Sequence, residues 1–221
     1  MKNPKAIHGF MILCIAFVFY AGVALGQGEA NHWFTSQFHL DFNHFPVKVS
    51  PSEIPNDKNR YVYISDSKGN LLFVTDQEVV YDKNFKRMPN GSTGLDYHYG
   101  YGNGSTATII PQPESSIYYI FLPAENADFI DYVIVDLSKN GGLGDVVQTA
   151  RHLPFSTHGT AATGNCDAFW VVTIQNKTQI GERKHLILGY KIDKFGLDVK
   201  PDTLNIKELD TYFGLKFSPD G

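Results

Sequence analysis

Short runs in which apolar and polar residues alternate, separated by turn residues, make up most of this chain. Such runs predict strands, and the two runs that flank Asp66-Ser67-Lys68-Gly69-Asn70 predict an antiparallel hairpin. After residue 26, no segment has the 3.6-residue period of an amphipathic helix, because 20 glycines and 11 prolines interrupt the chain. The sequence therefore predicts an all-β fold. The predicted strands are Tyr61–Ile64, Leu71–Thr75, Val79–Tyr81, Thr106–Ile110, Ile117–Leu122, Tyr132–Leu137, Phe169–Ile174 and His185–Ile192.

Part of this pattern recurs further along the chain. An aromatic strand around Tyr119 and a strand that ends at Asp136 have counterparts around Trp170 and at Asp193. The two matched pairs are 51 and 57 residues apart, a spacing typical of β-propeller blades. A strand pair that ends in Asp, followed by a Gly-containing turn and a fresh strand, is the layout of a four-stranded blade. A β-sandwich with similar hairpins is the alternative fold, because strand spacing alone suits both.

The fold that we predict is β-propeller-like, with about three blades of an incomplete ring after an N-terminal signal helix. The predicted blades cover roughly 33–105, 106–160 and 161–215, and 216–221 begin the next one. The final residues, Ser218-Pro219-Asp220-Gly221, have the composition of a hairpin turn. Because propeller rings have ~4 to 8 blades, we expect the chain to be the N-terminal fragment of a longer protein.

Residues 1–26 have the layout of a secretory signal peptide. Two lysines precede an apolar run, Phe10–Leu25, that is shorter than the ~20 residues of a membrane-spanning helix. Small residues end this run, so the predicted cleavage falls between Gly26 and Gln27. An uncleaved membrane anchor is the alternative. We expect an exported protein with no stable membrane span after cleavage.

The charge of the chain excludes one class of partner. The formal net charge is −4, and it becomes −6 when residues 1–26, which contain two lysines and no acidic residue, are removed. Nucleic-acid phosphates require a clustered basic surface, and no basic stripe occurs in the sequence. We therefore expect no nucleic-acid partner.

The densest set of candidate metal ligands lies near the start of the exported chain, at His32, His39, Asp41 and His44. On an extended strand His39 and Asp41 share a face, and His44 returns after a turn, so a zinc site is one hypothesis. The spacing matches none of the common zinc patterns. Aromatic residues interleave with these positions, which favours a strand that buries its aromatic side chains and exposes its polar ones. The preferred interpretation has no metal and no cofactor.

Aspartates recur at predicted strand ends and turns beside Gly or Ser. Their short carboxylates can accept backbone N–H bonds there, so we expect them to stabilise turns. Calcium binding is the alternative, best in the loop that begins at Asp66, although its lysine and the lack of a bidentate Glu weaken this hypothesis. The residues concerned are Asp66, Asp76, Asp136, Asp193 and Asp220.

The segment from Leu95 to Ser105 alternates tyrosine with glycine. Tyrosine offers an apolar face and a polar tip at a small entropic cost, and glycine allows close approach of the backbone. The candidate ligand-contact residues are Tyr97, His98, Tyr99 and Tyr101. A flexible connection between strands is the simpler interpretation. Catalytic residues stay unassigned, because paired acids of glycan-active enzymes are placed by the fold and not by sequence spacing.

A series of short motifs occurs in a fixed order from Trp33 to Gly221. The motifs include Trp33-Phe34, Leu40-Asp41-Phe42, Gly69-Asn70-Leu71-Leu72-Phe73, Val80-Tyr81-Asp82, Met88-Pro89-Asn90-Gly91, Ile117-Tyr118-Tyr119-Ile120-Phe121, Asn140-Gly141-Gly142-Leu143-Gly144-Asp145, Gly164-Asn165-Cys166-Asp167 and Phe217-Ser218-Pro219-Asp220-Gly221. Together these motifs resemble the N-terminal propeller region, with WD-like repeats, of large secreted Bacteroidetes proteins that carry a gliding-motility-associated C-terminal sorting domain.

The resemblance implies export by the type IX secretion route and a place on the outer-membrane surface or outside the cell. The sorting domain is not in this sequence, and without it the periplasm is the expected destination. Our leading hypothesis is a non-enzymatic module for binding, adhesion or scaffolding. Its expected partners are glycans, other surface proteins and the C-terminal remainder of the same polypeptide. The alternatives are a glycan hydrolase or lyase, with catalytic groups in the central funnel, and a structural component of a motility or adhesion apparatus.

Overall fold

The computed structural model describes residues 28, 31–54, 61–94, 107–123, 129–154, 158–164, 167–179 and 182–206. Within these ranges the chain forms sixteen strands in four antiparallel sheets, and no α-helix occurs in them. The predicted all-β class is therefore confirmed. In the same ranges we find no helix with the length and apolar character needed to cross a membrane. The predicted signal segment lies outside the described residues.

The first sheet is small and contains three strands in the order β1-β2-β3. In its register Trp33 pairs with Leu40, and Leu40 pairs with Val49. Each connection is a short hairpin, so the sheet is a meander. Its strands are β1 (His32–Phe34), β2 (Phe38–Asp41) and β3 (Lys48–Pro51).

The second and third sheets are four-stranded meanders, in which each strand pairs with its neighbour in the chain. The predicted hairpin around the Asp66 loop is confirmed, since Val62 pairs with Thr75 across it. The second sheet holds β4 (Val62–Ser65), β5 (Leu71–Thr75), β6 (Val79–Asp82) and β7 (Arg87–Ser92). The third sheet holds β8 (Thr108–Pro111), β9 (Ile117–Pro123), β10 (Phe129–Asp136) and β11 (Asp145–Pro154).

The fourth sheet follows the same plan, with an interrupted last strand. Its two final segments both pair with β14, one with Ile192 and Asp193 and the other with residues 185–189. They therefore share one edge of β14 and together take the position of a fourth strand. The strands are β12 (His158–Gly164), β13 (Ala168–Gln179), β14 (Glu182–Asp193), β15 (Gly196–Leu197) and β16 (Asp202–Ile206).

The pairing registers match the repeat that the sequence predicts. Asp136 ends β10 and pairs with Ile117, while Asp193 ends β14 and pairs with Ala168. Two residues beyond each partner lie Tyr119 and Trp170, the aromatic pair that was matched by spacing. Asp82 likewise ends the third strand of the second sheet. Three successive sheets thus place an aspartate at the same point of the meander.

Apolar clusters join the sheets face to face in chain order. Side chains of alternating residues on β9 point to opposite faces, which explains why this strand is an almost unbroken apolar run. Its Ile120 and Leu122 pack towards the second sheet, and its Tyr119 and Phe121 pack towards the fourth. The first sheet joins the second through Phe34, Ile54, Val74, Tyr81 and Phe85. The result is a serial stack of four sheets.

The residue ranges of the four sheets can be compared with those of the predicted blades. The range 33–105 contains two separate sheets, because residues 32–51 form a meander of their own. The next two sheets lie at 108–154 and 158–206, close to the predicted ranges 106–160 and 161–215. None of the four sheets closes on itself within the described residues, and 216–221 lie outside them. The division into blades stays a prediction.

Candidate functional site

A polar cleft of about 590 Å³ opens where the first sheet meets the turns of the second. The first sheet supplies its polar residues around the end of β2, and the second sheet supplies the β4–β5 and β6–β7 turns. This volume lies within the range of small-ligand sites, which is ~300 to 1,000 Å³. The lining residues are His32, Asp41, Asn43, His44, Lys68, Gly69, Asn70, Leu71, Lys83 and Asn84.

His32 joins the two sheets at the base of this cleft. Its ring is buried, and its Nε2 lies 2.9 Å from the backbone oxygen of Gly69. A carbonyl oxygen can only accept, so Nε2 carries a hydrogen and donates it. The other ring nitrogen, Nδ1, lies 2.8 Å from Nε2 of His39. The two imidazoles are therefore joined by a hydrogen bond, in which one of these nitrogens donates and the other accepts.

Asn43 fixes the turn after β2 against the same carbonyl group. Its Nδ2 donates to the Gly69 oxygen at 2.8 Å and to Oδ1 of Asp41 at 2.9 Å. Its backbone N–H also donates to Oδ1 of Asp41, at 2.9 Å. Its own Oδ1 accepts from Asn31 Nδ2 at 2.9 Å. Each polar atom of the Asn43 amide side chain is thereby used within the protein.

Gly69 is required at the centre of this contact. Its φ is +84°, a left-handed value that residues with a Cβ rarely adopt. A Cβ at this position would also collide with the side-chain oxygen of Asn43. The glycine therefore allows the β4–β5 turn to approach the first sheet closely enough for its carbonyl to accept two hydrogen bonds.

Asp41 is ionised and held by its neighbours. Burial raises its pKa, but the two hydrogen bonds from Asn43 and the nearby His32 and His44 rings outweigh that effect and lower the pKa below its ordinary value. Its Oδ2 lies 3.3 Å from Nε2 of His44, whose side chain is 57% exposed. Both oxygens of the Asp41 carboxylate therefore contact side chains of the same turn.

His39 lies in an aromatic environment beneath the cleft. Its ring stacks on Phe34 with centroids 4.2 Å apart and meets the edge of Phe85 at 6.1 Å. Desolvation lowers its pKa, and the neighbouring His32 lowers it further, against the opposing charge of Asp41. His39 is therefore neutral at neutral pH.

The structure brings the residues of the zinc hypothesis close together, but it uses them differently. His39 meets His32, and Asp41 meets Asn43 and His44. In the part of the chain that the structure describes, no three His, Cys, Asp or Glu side chains converge as metal ligands. Of the four side chains, His32 is the one with a hydrogen bond to the second sheet among the described residues, and His39, Asp41 and His44 have their polar contacts within the first sheet and the turn that follows β2.

The predicted burial of the aromatic side chains in and around the first sheet is wrong at most positions, although Phe34 is partly buried as expected. Side chains alternate as expected, but the aromatic Trp33 and Phe38 are 53% and 50% exposed, whereas His32 is only 7% exposed. Phe42 and Phe45 are exposed as well. The physical reason is that the inner face meets a backbone carbonyl of a turn, which an imidazole can satisfy and a benzene ring cannot.

No family model, curated protein or solved structure matches this chain. The interpretation of the cleft therefore rests on its own geometry. That geometry combines a rigid base, formed by the hydrogen bonds of His32 and Asn43, with exposed polar side chains at the rim, formed by His44, Lys68 and Lys83.

The expected role of the turn aspartates is confirmed wherever the structure describes them. Oδ1 of Asp66 accepts from the backbone N–H groups of Lys68 and Asn70, both at 2.9 Å. Oδ1 of Asp136 accepts the backbone N–H of Ser138 at 2.9 Å. Asp76 and Asp193 accept backbone N–H groups in the same manner, whereas Asp220 lies outside the described residues. These carboxylates hold the turns of the meanders.

Asp131 and His152 form a second polar pair, on neighbouring strands of the third sheet. The Asp131 side chain is 3% exposed and accepts a short hydrogen bond from Nδ1 of His152, whose side chain is 65% exposed. Burial raises the pKa of Asp131, and the neighbouring His152 opposes this rise. The His152 ring also lies against Phe129, with centroids 4.1 Å apart. We interpret the pair as structural, with His152 as the hydrogen-bonding partner of the buried Asp131 side chain.

Other predicted site residues lie outside the described residues. They include the candidate ligand-contact residues Tyr97, His98, Tyr99 and Tyr101, and the predicted cleavage site at Gly26 and Gln27. Conversely, sequence reasoning did not identify Lys68, Gly69, Lys83 and Asn84 as parts of one site. The available signal was that both segments lie in turns beside an aspartate, Asp66 or Asp82.

Proposed function

We propose that this chain is an exported β-propeller-type module that binds a polar ligand, such as a glycan, at the cell surface. The cleft between the first and second sheets is the binding site. The module acts by binding or as a scaffold, and adhesion is the activity to which such binding would contribute. The observation that carries this proposal is the cleft itself, with its internally bonded base and its exposed polar rim.

The serial stack supports the propeller part of the proposal. Sheets two to four are antiparallel meanders that pack face to face in chain order, as blades do. The first strands β4 and β8 are in contact with one another, and so are β8 and β12. In a propeller the equivalent strands of successive blades meet around a central axis, so these contacts agree with the proposed arrangement.

The end faces of the stack support further partners. Trp33, Phe38 and Val49 are exposed on the first sheet, and Leu204 is 60% exposed on the last. Apolar surfaces of this kind mark sites of association. We propose that other surface proteins are the partners that cover these faces.

The lining of the cleft favours binding over hydrolysis. Glycoside hydrolases generally use two carboxyl groups, one of which must hold a proton at the working pH. Among the described lining residues there is one carboxylate, Asp41, and hydrogen bonds lower its pKa. Lysine, amide and imidazole groups make up most of the remaining lining, and such groups can donate hydrogen bonds to sugar hydroxyls and anionic groups.

Export and surface location are proposed on the sequence alone. The basic start, the apolar run and the small-residue end of residues 1–26 fit a secretory signal. Cell fractionation of the expressed full-length gene tests this part, and retention of the protein in the cytoplasm with residues 1–26 intact would contradict it.

A glycan array combined with a hydrolase and lyase panel, both run on the purified full-length protein, tests the binding function. We expect retention of at least one class of glycan without its turnover. The Asn84→Ala variant should weaken this retention, whereas Thr203→Ala, at an exposed position of β16, should leave it unchanged. Turnover without stable binding would replace the proposal with the enzyme alternative.

A further inference from the structure

The charged groups around the cleft differ in whether they have a hydrogen-bonding or ionic partner within the protein. Asp41 is the carboxylate among the described lining residues, and it is already bonded to Asn43 and near His44. The buried Gly69 carbonyl accepts from both His32 and Asn43. The strong acceptors at the base of the cleft are therefore satisfied by donors of the protein itself.

The two aspartates next to the cleft are occupied in the same way. Asp66 accepts two backbone N–H groups with Oδ1 and the Asn70 amide with Oδ2. Asp82 accepts the backbone N–H groups of Asn84 and Lys86 with Oδ1, at 2.7 and 3.1 Å. Each of these two carboxylates accepts hydrogen bonds from N–H groups of its own turn, so neither depends on a lysine as its partner.

The lysines of the cleft differ from these aspartates in their lack of ionic partners among the described residues. Neither Lys68 nor Lys83 forms an ion pair with a carboxylate of the described residues, although the charge of Lys68 contributes to lowering the pKa of Asp66. Both lie in turns at the same end of the second sheet. His44, at 57% side-chain exposure, lies at the same rim but contacts Asp41 Oδ2 at 3.3 Å. The cleft thus presents two lysine ammonium groups that no carboxylate of the described residues pairs with.

We propose that the cleft binds an anionic saccharide, with the carboxylate or sulfate group of the sugar held between Lys68 and Lys83. This inference rests on the proposed binding function and adds the class of ligand. Ammonium groups bind oxyanions as point charges through charge-assisted hydrogen bonds. The amide of Asn84, on the same turn as Lys83, is placed for a hydroxyl group of the same sugar ring.

Titration calorimetry on the full-length protein tests the ligand class. The probes are oligogalacturonate, which carries carboxylates, dextran sulfate, which carries sulfates, and uncharged dextran. We expect binding of one or both anionic probes and none of dextran, with affinity that falls as salt is raised. Binding of only one anionic probe identifies the charged group of the ligand and supports the proposal.

Charge-removing variants test the location. Lys68→Gln and Lys83→Gln should each weaken binding about threefold, and the double variant about tenfold, as expected for partly exposed ion pairs. Lys200→Gln is the charge-matched control. This lysine is exposed and lies between β15 and β16, so the variant should keep the wild-type affinity. Equal losses in the control and the double variant would overturn the assignment to the cleft. Thermal unfolding of each variant verifies that the fold is kept.

Two results would separate this inference from the proposed function. In the first, dextran or another neutral array glycan binds as tightly as the anionic probes, and the lysine variants have no effect. This result would overturn the anionic class of ligand and leave the proposed binding function standing. Failure of all three probes and of every array glycan to bind would overturn both.

Discussion

The junction between the first and second sheets and the junction between the third and fourth are built from different chemistry. Beside a small apolar cluster around Val74 and Tyr81, the first contains the bonded pair His32 and His39, the Gly69 carbonyl and the open cleft. The second contains fully buried Phe121 and Tyr190 among aliphatic side chains. Apolar contact adds stability with little directional demand, whereas a polar junction requires each donor to meet its acceptor. The molecule therefore separates a region that stabilises the stack from one that presents a site.

The exposed aromatic side chains sharpen this contrast. At the first sheet Trp33 and Phe38 remain about half exposed while an imidazole is buried, so the sheet gains less from burial than its composition would allow. At the third sheet Ile120 and Phe121, which are consecutive, are both fully buried because each faces a different neighbouring sheet. We expect the first sheet to open more readily than the third.

The largest expected effect is at the apolar junction. Phe121→Ala removes a fully buried ring and should lower the free energy of unfolding by about 3–5 kcal/mol. Urea denaturation followed by fluorescence measures this change. Phe195→Ala, at a ring that is 87% exposed, is the matched control and should change it by less than about 0.5 kcal/mol. Similar effects of the two substitutions would show that the apolar junction does not govern stability.

A smaller effect is expected at the polar junction. His32→Ala leaves His39 without its hydrogen-bonding partner and removes one donor from the Gly69 carbonyl, at a cost of about 1–3 kcal/mol. Hydrogen exchange should show faster exchange confined to β1 to β3, since only the first sheet depends on this bond. His44→Ala serves as the control, because that ring lies at the exposed rim. Uniformly faster exchange in all four sheets would contradict a localised role.

The turn aspartates should have a still smaller effect. Asp136→Ala removes the acceptor of the Ser116 and Ser138 hydroxyls and of the Ser138 backbone N–H, and should cost about 1 kcal/mol. Asp198→Ala, which removes the acceptor of the Lys200 backbone N–H at an exposed position, should cost less. Thermal unfolding compares the two, and an equal loss would indicate that the number of accepted bonds does not matter.

The smallest effects are those of pH, and His39 in the first sheet and Asp131 in the third should respond with opposite sign. The pKa of His39 is below its ordinary value of 6.5, so between the folded value and 6.5 the unfolded chain binds more protons. Stability from the first junction should therefore fall as pH is lowered through that window. The pKa of Asp131 is above its ordinary 3.8, so its contribution is present at low pH and is lost as pH rises through the window above 3.8.

Two variants separate these pH contributions. His39→Gln should remove the loss of stability below pH 6.5, and Asp131→Asn should flatten the part of the profile above pH 3.8. Free energies of unfolding measured across both windows provide the comparison with the wild type. Parallel profiles for the wild type and both variants would show that neither group titrates differently in the folded and unfolded states.

Where the sequence carries strong alternation or a dense apolar run, its predictions agree with the structure. The runs at Ile117–Leu122 and His185–Ile192 lie within β9 and β14. β12, with the sequence His158-Gly-Thr-Ala-Ala-Thr-Gly164, was not predicted, because small residues give no hydrophobic period and the strand is defined by pairing with β13. β3 and β16 were missed for a related reason, since both are short and form at sheet edges.

The site was predictable only in part, because it combines distant segments. The polar cluster at His32, His39 and Asp41 is visible in the sequence, and it does line or underlie the cleft. Its hydrogen-bonding to Gly69, 37 positions further along, depends on how two sheets stack. Local patterns describe the strand period but not which face meets a carbonyl, and for this reason the prediction that Trp33 and Phe38 are buried was wrong.

The chain-order stacking has a consequence for how this protein is made. Each apolar cluster joins sheets that are adjacent in sequence, so a newly completed meander can dock on the one before it. At ~5–20 residues per second, synthesis of one such unit takes seconds, which is long compared with the ~1–10 μs of hairpin formation. The protein can therefore assemble progressively from its amino-terminal side, one meander after another.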